Sequence, residues 1–353
     1  MANMNVRTPK FFVDNINHRL ATGTAQDGNA DVMSGTNLIN TFNTGSEAEL
    51  FDMRPMNQVE FETSASSDDH VLINIDTGGG FNTDFIAILN HNMVDAQAKV
   101  RVCHNATEAN IATNAKMEGG GGSDGTAIAN VTGVINSGTD NDDNIVIPGT
   151  NGSTIFTFTP TTNRYFGIQF EGSGSADGTT SGIHFDNSID LRLAIIMLGE
   201  TFTMPFSPTL QLTRTIIYDG VNVQESLGGQ RYANAIHLGR NWSSSTNKSP
   251  FTLANQSYYV YNGRIGYDLN FSFLNSSDLM PSDYSVEQTA SDTVVADLWN
   301  RVNGPMTPFI FSSDSSSTSE GDMLFARFKQ NSLQMTQSAP DVFDVAMSLE
   351  EEF

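Results

Sequence analysis

HVLINIDTGGGFNTDFIAILNHNM, residues 70–93, holds two kinds of strand joined by a turn. Val71, Ile73 and Ile75 alternate with polar neighbours, so every second side chain shares one face, the pattern of a half-buried strand. Asp76 to Gly80 is a turn. Phe85, Ile86, Ala87, Ile88 and Leu89 then run without interruption, short and β-branched enough for a central strand covered on both sides.

The same grammar continues in both directions. Lys10 to Val13, Val59 with Phe61, Lys99 to His104, Ile155 to Phe158, Tyr165 to Phe170, Ile183 to Phe185 and Leu191 to Leu198 all read as strands between turn clusters. The Gly-, Asn- and Asp-rich stretch 118–149 reads as a long surface excursion. Residues 1–37 read as an N-terminal arm, either held by a neighbour or loose. Two prolines in GETFTMPFSP, 199–208, put an interdomain connection near residue 200.

Beyond it, Leu210 to Tyr218, Arg231 to Leu238, Arg264 to Phe273, Pro308 to Phe311, Met323 to Phe328 and Val342 to Leu349 read as strands, with Asp219-Gly220 and Asn262-Gly263 as hairpin dipeptides. One helix is expected at 292–302, where Val294, Val295, Leu298, Trp299 and Val302 share a face. Asp292 or Ser291 would cap it and Gly304-Pro305 would stop it. The expectation is an all-β chain of two antiparallel sandwich domains, 38–200 and 201–353, the second carrying that helix, with a charged Glu350-Glu351-Glu352 end that blunts the last strand.

Composition narrows the function. The 17 Lys and Arg face 40 Asp and Glu, a net charge of −23, which repels a phosphate backbone and argues against direct nucleic-acid binding. The acidity reads either as solubility or as attraction to a cationic partner. Cys103 stands alone, so no internal disulfide forms, and its place beside Val100 and Val102 suits a buried thiol. No export signal or bilayer-length apolar run is visible, and the chain is expected to fold in a cytoplasm.

Chemistry is sparse. His18, His70, His91, His104, His184 and His237 show no metal-ligand spacing, and there is no nucleophile elbow or phosphate loop. Asp140, Asp142 and Asp143, and Asp186 with Asp190, read as calcium-type loops or solvated turns. Asn90-His91-Asn92 could line a pocket or bond the adjoining backbone, and Trp299 with Phe309 and Phe311 could form a platform or core. No residue is singled out as catalytic, cofactor-binding or metal-ligating, and a paired-carboxylate glycosidase is the least favoured reading.

HVLINIDTGGGFNTDFIAILNHNM followed by AKVRVCHNA resembles the opening of a galactose-binding-like (discoidin-type) jelly roll, and NRYFGIQFEG (163–172) and IDLRLAIIMLGETF (189–202) resemble its return strands. Leu89-Asn90-His91-Asn92 is similar to a segment of phage proteins carrying that domain. GPMTPFIFSSDS (304–315), MLFARFKQ (323–330) and VFDVAMSLEEEF (342–353) resemble the end of phage tail structural proteins. The resemblance implies a non-enzymatic tail or baseplate component of a virion, without cofactor, assembling with identical subunits in a ring and with neighbouring tail proteins. The alternatives are a receptor- or carbohydrate-binding virion protein with a host-surface glycan as partner, and a capsid decoration protein.

Overall fold

A computed structural model of the chain describes residues 7–16, 30–35, 38–55, 57–64, 70–79, 81–108, 111, 126–127, 132–135, 145–172, 185–210, 212–217, 221–235, 240–241, 261–262, 264–280 and 294–352. The protein is mostly β, and every pairing between its described strands is antiparallel. No helix among the described residues is long and apolar enough to cross a membrane.

An 11-stranded sheet organises the molecule. Its strands lie side by side in the order Thr213–Ile217, Arg264–Leu274, Val342–Glu351, Met323–Phe328, Phe309–Ser312, Lys10–Asp14, Ile195–Thr203, Thr83–His91, Gly152–Thr161 and Thr132–Ile135, with Met335–Ala339 added on Val342–Glu351. A five-stranded sheet, Ala30–Val32, His70–Asp76, Tyr165–Gly172, Ala98–Asn105 and Thr126–Ala127, covers one end of it.

Strand periodicity of two builds the sandwich core. Val71, Ile73 and Ile75, Val100 and Val102, and Phe166, Ile168 and Phe170 point inward from the small sheet and meet Ile86, Ile88, Phe156, Ile196 and Leu198 of the large one. Each such side chain contributes about 1.5–3 kcal/mol by leaving water. The alternate residues Phe85, Ala87, Leu89, Ile195 and Met197 are buried in a separate cluster with Phe12 and Ile310. The run Phe85–Leu89 is therefore apolar on both faces because both faces are covered, as its unbroken pattern required.

Further along the large sheet a second core joins Phe11, Val13, Phe202, Phe309, Phe311, Leu324, Phe328, Val345 and Met347 to Val295, Leu298 and Val302. These last residues belong to the helix Val295–Arg301 and its C-cap. The helix ends at Val302, after which Asn303 and Gly304 take left-handed backbone angles (φ 54° and 63°) and the Gly304 amide donates to the Trp299 carbonyl. Its N-cap is Val294; the expected caps Asp292 and Ser291 lie outside the described residues.

Several expectations change. Within the segment read as an arm, Lys10–Asp14 is a central strand, paired with Ile195–Thr203 on one side and Phe309–Ser312 on the other. Three residues of KFFVD carry apolar side chains into two cores at once, Phe11 and Val13 into one and Phe12 into the other. Ile195–Thr203 runs straight through the position proposed for the connection near residue 200, and the backbones there are close. A Cβ on Gly199 would meet the Val13 carbonyl oxygen at 1.9 Å, so no other residue fits without movement.

The acidic C-terminus is not a blunted edge. Val342–Glu351 lies inside the sheet, Glu350 pairs with Arg264 and Lys329, Glu352 pairs with Arg327, and buried Glu351 accepts from the Ile265 amide. Basic neighbours, invisible in the linear sequence, absorb the charge. Several strands went unread, among them Ala30–Val32, Phe42–Thr44, Met335–Ala339, which turns at Asp341 (φ 55°), and Val221–Glu225, which pairs with Arg231–Ala235 across a Leu227-Gly228-Gly229 turn. Asp219-Gly220 and Gly263 lie outside the described residues, as does the 118–149 excursion apart from Thr126–Ala127, Thr132–Ile135 and 145–149.

Candidate functional site

The three middle strands of the small sheet present an outer face as regular as their inner one. Register sets Glu171 between His70 and Lys99, Gln169 between Leu72 and Arg101, Gly167 between Asn74 and Cys103, and Tyr165 between Asp76 and Asn105. Alternation that sends valine and phenylalanine inward sends these residues outward.

This outer face is polar and yet buried. His70, Lys99, Arg101, Gln169, Glu171 and Asn74 all have little exposure, Gln169 only 1 %. Glu171 lies 3.1 Å from His70 Nε2 and 3.6 Å from Lys99 Nζ. In the next row Gln169 has neither its amide nitrogen nor its amide oxygen hydrogen-bonded among the described residues, and Arg101 Nε and Asn74 Oδ1 are likewise unmatched. A buried polar group left unmatched costs about 1–3 kcal/mol.

The rows open progressively toward Asp76, Tyr165 and Asn105, which are half-buried, and toward exposed Arg164 and Glu108. Arg164 there grips Asp76 with both Nε and an Nη (2.6 and 2.7 Å) and lies over the Tyr165 ring. Leu72 packs with Leu38 and Met33 at one flank. On the middle strand Gly167 lets Ile111 close in over the face; a Cβ there would stand 2.9 Å from the Ile111 Cγ2. The face thus offers a donor from Arg101, an acceptor from Asn74 and the Gln169 amide, which both donates and accepts.

A second buried polar cluster at the seam of the two cores behaves differently. Arg301 reaches Glu200 (3.5 Å) and Asn15 Oδ1 (2.9 Å), Asn82 donates to Glu200 Oε1 (2.8 Å), and Asn15 donates to the Asn82 carbonyl. Its members bind one another and tie Lys10–Asp14, Ile195–Thr203 and the helix together. On the neighbouring stretch Asp84 accepts from the Thr201 amide and hydroxyl (2.9 and 2.6 Å), and burial outweighs these bonds to push its carboxyl up to about 6.

Those positions singled out in the sequence that are described are held by local bonds. Asn90, in left-handed backbone (φ 54°), donates to the Pro55 carbonyl, and Asn92 exchanges bonds with the Asp190 carbonyl and the Arg192 amide. His91 Nδ1 accepts from the Met93 amide, leaving Nε2 to donate to Thr154 Oγ1, and burial pushes the ring down to about 3, so it is neutral. Asp186 accepts from the Ser188 and Ile189 amides, and Asp190 accepts from Ser64 and Asn43. Asp140, Asp142 and Asp143 lie outside the described residues, and among those described no three His, Cys, Asp or Glu side chains gather to hold a metal ion. Phe309 and Phe311 are core, and Trp299 stacks at 5.0 Å on Phe328. Cys103 is buried, facing outward beside Gly167.

No protein-family model matches the chain. No curated protein matches it either. Among solved structures, a chitosan-binding module from a chitosanase/glucanase of Paenibacillus sp. IK-5 superposes over 48 % of this chain and 93 % of its own, at 13 % identity and a TM-score of 0.29. CBM32-1 from a family 31 glycoside hydrolase of Clostridium perfringens does so over 48 % and 94 %, at 10 % identity and 0.28. Likenesses this low carry no argument about what the chain does, which rests on its own residues.

Proposed function

We propose that the chain is a non-catalytic binding protein whose small sheet recognises a glycan through its outer polar face. The observation that carries this reading is Gln169, sealed from water at 1 % exposure with both amide atoms unmatched, in a row with the unmatched Arg101 Nε. Sugar hydroxyls donate and accept together, as an amide does, and a carboxylated sugar would also satisfy Arg101. The test is a glycan array probed with the full chain, expected to retain glycans and acidic ones best. Failure to retain any, neutral or acidic, sinks the reading.

A second reading, a structural component of a larger particle built by subunit contacts, is favoured by a different observation. The ribbon Val221–Glu225 with Arg231–Ala235 pairs only with itself among the described residues, and its residues 222–225 and 227–233 are exposed. Virion tail or baseplate assembly belongs to this reading, and cross-linking within an assembled particle would test it.

A further inference from the structure

Lys10–Asp14 is where the large sheet holds together. On one side of it lie Ile195–Thr203, Thr83–His91, Gly152–Thr161 and Thr132–Ile135, and on the other lie Phe309–Ser312, Met323–Phe328, Val342–Glu351, Arg264–Leu274 and Thr213–Ile217. Among the described residues no strand of the first group pairs with a strand of the second. Without this one strand two sheets would remain, each with a core of its own: the sandwich core under the small sheet, and the core that includes the helix Val295–Arg301.

The segment also reaches every large cluster of the molecule. Phe11 and Val13 enter the core with the helix, Phe12 enters the cluster of Phe85, Met197, Ile310 and Phe325, and Ile16 enters the sandwich core. Phe12 and Phe85 meet edge-on, with ring centroids 5.3 Å apart. Before the strand, the Arg7 amide donates to the Ser313 carbonyl, the Ser315 amide to the Thr8 carbonyl and the Met204 amide to the Pro9 carbonyl. After it, Asn15 accepts from Arg301 and donates to the Asn82 carbonyl. Arg301 also meets Glu200 and lies over the Phe81 ring, so these ties across the seam gather at the same segment.

Withdrawing the segment breaks its own two ladders and leaves the other ladders on both sides whole. Native proteins open in contiguous cooperative units, and a strand that alone joins two self-sufficient bodies has the boundaries of such a unit. We infer that residues 7–16 are a strap: they open and close as a unit of their own while both halves stay folded, and their closure fixes the halves in one arrangement. The strap is independent of glycan binding and of subunit contacts.

Native-state hydrogen exchange of the full chain, read by mass spectrometry on fragments covering 7–16, 70–76 and 264–274, tests it. The 7–16 fragment is expected to exchange at least about tenfold faster than the other two. Its rate should also rise less steeply with added denaturant, because opening a strap exposes less surface than global unfolding. The variant Phe170→Ala separates the two kinds of opening. The sandwich is folded whether the strap is closed or open, so the 7–16 rate should stay within about twofold, while the 70–76 rate rises at least about a hundredfold. Equal rates and equal denaturant slopes in the three fragments overturn the inference, as does a 7–16 rate that Phe170→Ala raises as much as that of 70–76. Should the variant misfold, the denaturant series on the unaltered chain decides.

Discussion

The two faces of the small sheet are made by the same three strands and are buried alike, yet their chemistry is opposite. Inward, Val71, Ile73, Ile75, Val100, Val102, Phe166, Ile168 and Phe170 give a dry core. Outward, His70, Asn74, Lys99, Arg101, Gln169 and Glu171 are sealed from water, and Gln169, Arg101 and Asn74 keep atoms without a hydrogen bond among the described residues. The first face stabilises the fold; the second weakens it by every polar atom it leaves unmatched. In the seam cluster Arg301, Asn15 and Asn82 bond one another and Glu200, so most of its polar atoms are matched, Glu200 Oε2 meeting Arg301 at 3.5 Å without a hydrogen bond. Gln169, unmatched at both amide atoms among the described residues, is the group on this face that supports a binding role.

The largest effect separating the faces is expected from the inner one. Phe170→Ala should cost about 3–5 kcal/mol in a denaturant titration, through lost burial and the cavity left behind. On the outer face Glu171→Ala should cost about 3 kcal/mol, because it strips the buried Lys99 and His70 of their shared carboxylate. A larger loss from Glu171 than from Phe170 would break the comparison, making the outer face the better stabiliser.

Gln169→Leu should act in the opposite direction, raising stability by about 1 kcal/mol by removing two unmatched atoms at similar volume. A loss of that size would mean that the amide is bonded in solution. The smallest effect is electrostatic and belongs to the seam. Asp84, raised to about 6 chiefly by burial, binds its proton more tightly folded than unfolded. Its contribution to stability is full below about pH 4 and is lost as the pH rises through 6, so Asp84→Asn should flatten the thermal-stability profile across that window. A profile unchanged by the substitution would show that the carboxyl is not shifted.

Much of this architecture was legible from the sequence. Period-two alternation located most strands and even the double burial of Phe85–Leu89, because hydrophobic pattern reports what faces water locally. It could not report that Lys10–Asp14 sits between strands almost 200 and 300 residues away, as pairing partners leave no local trace. The candidate site was hidden for a related reason. His70, Asn74, Lys99, Arg101, Gln169 and Glu171 are each visible as polar residues alternating with apolar ones, which reads as an ordinary solvent face. Only the tertiary structure shows that face to be covered. The ribbon was half-read: Arg231–Ala235 has strand character, but the Leu-Gly-Gly turn that pairs it with Val221–Glu225 lacks the Asn-Gly or Asp-Gly signal.

The most direct test of the central claim is a glycan array probed side by side with the unaltered chain and with Gln169→Leu, both checked for thermal stability. Binding by the unaltered chain, lost in a variant that is at least as stable, is the predicted result. Equal retention by both chains would contradict it, and would return the outer face of the small sheet to the role of a costly but purely structural layer.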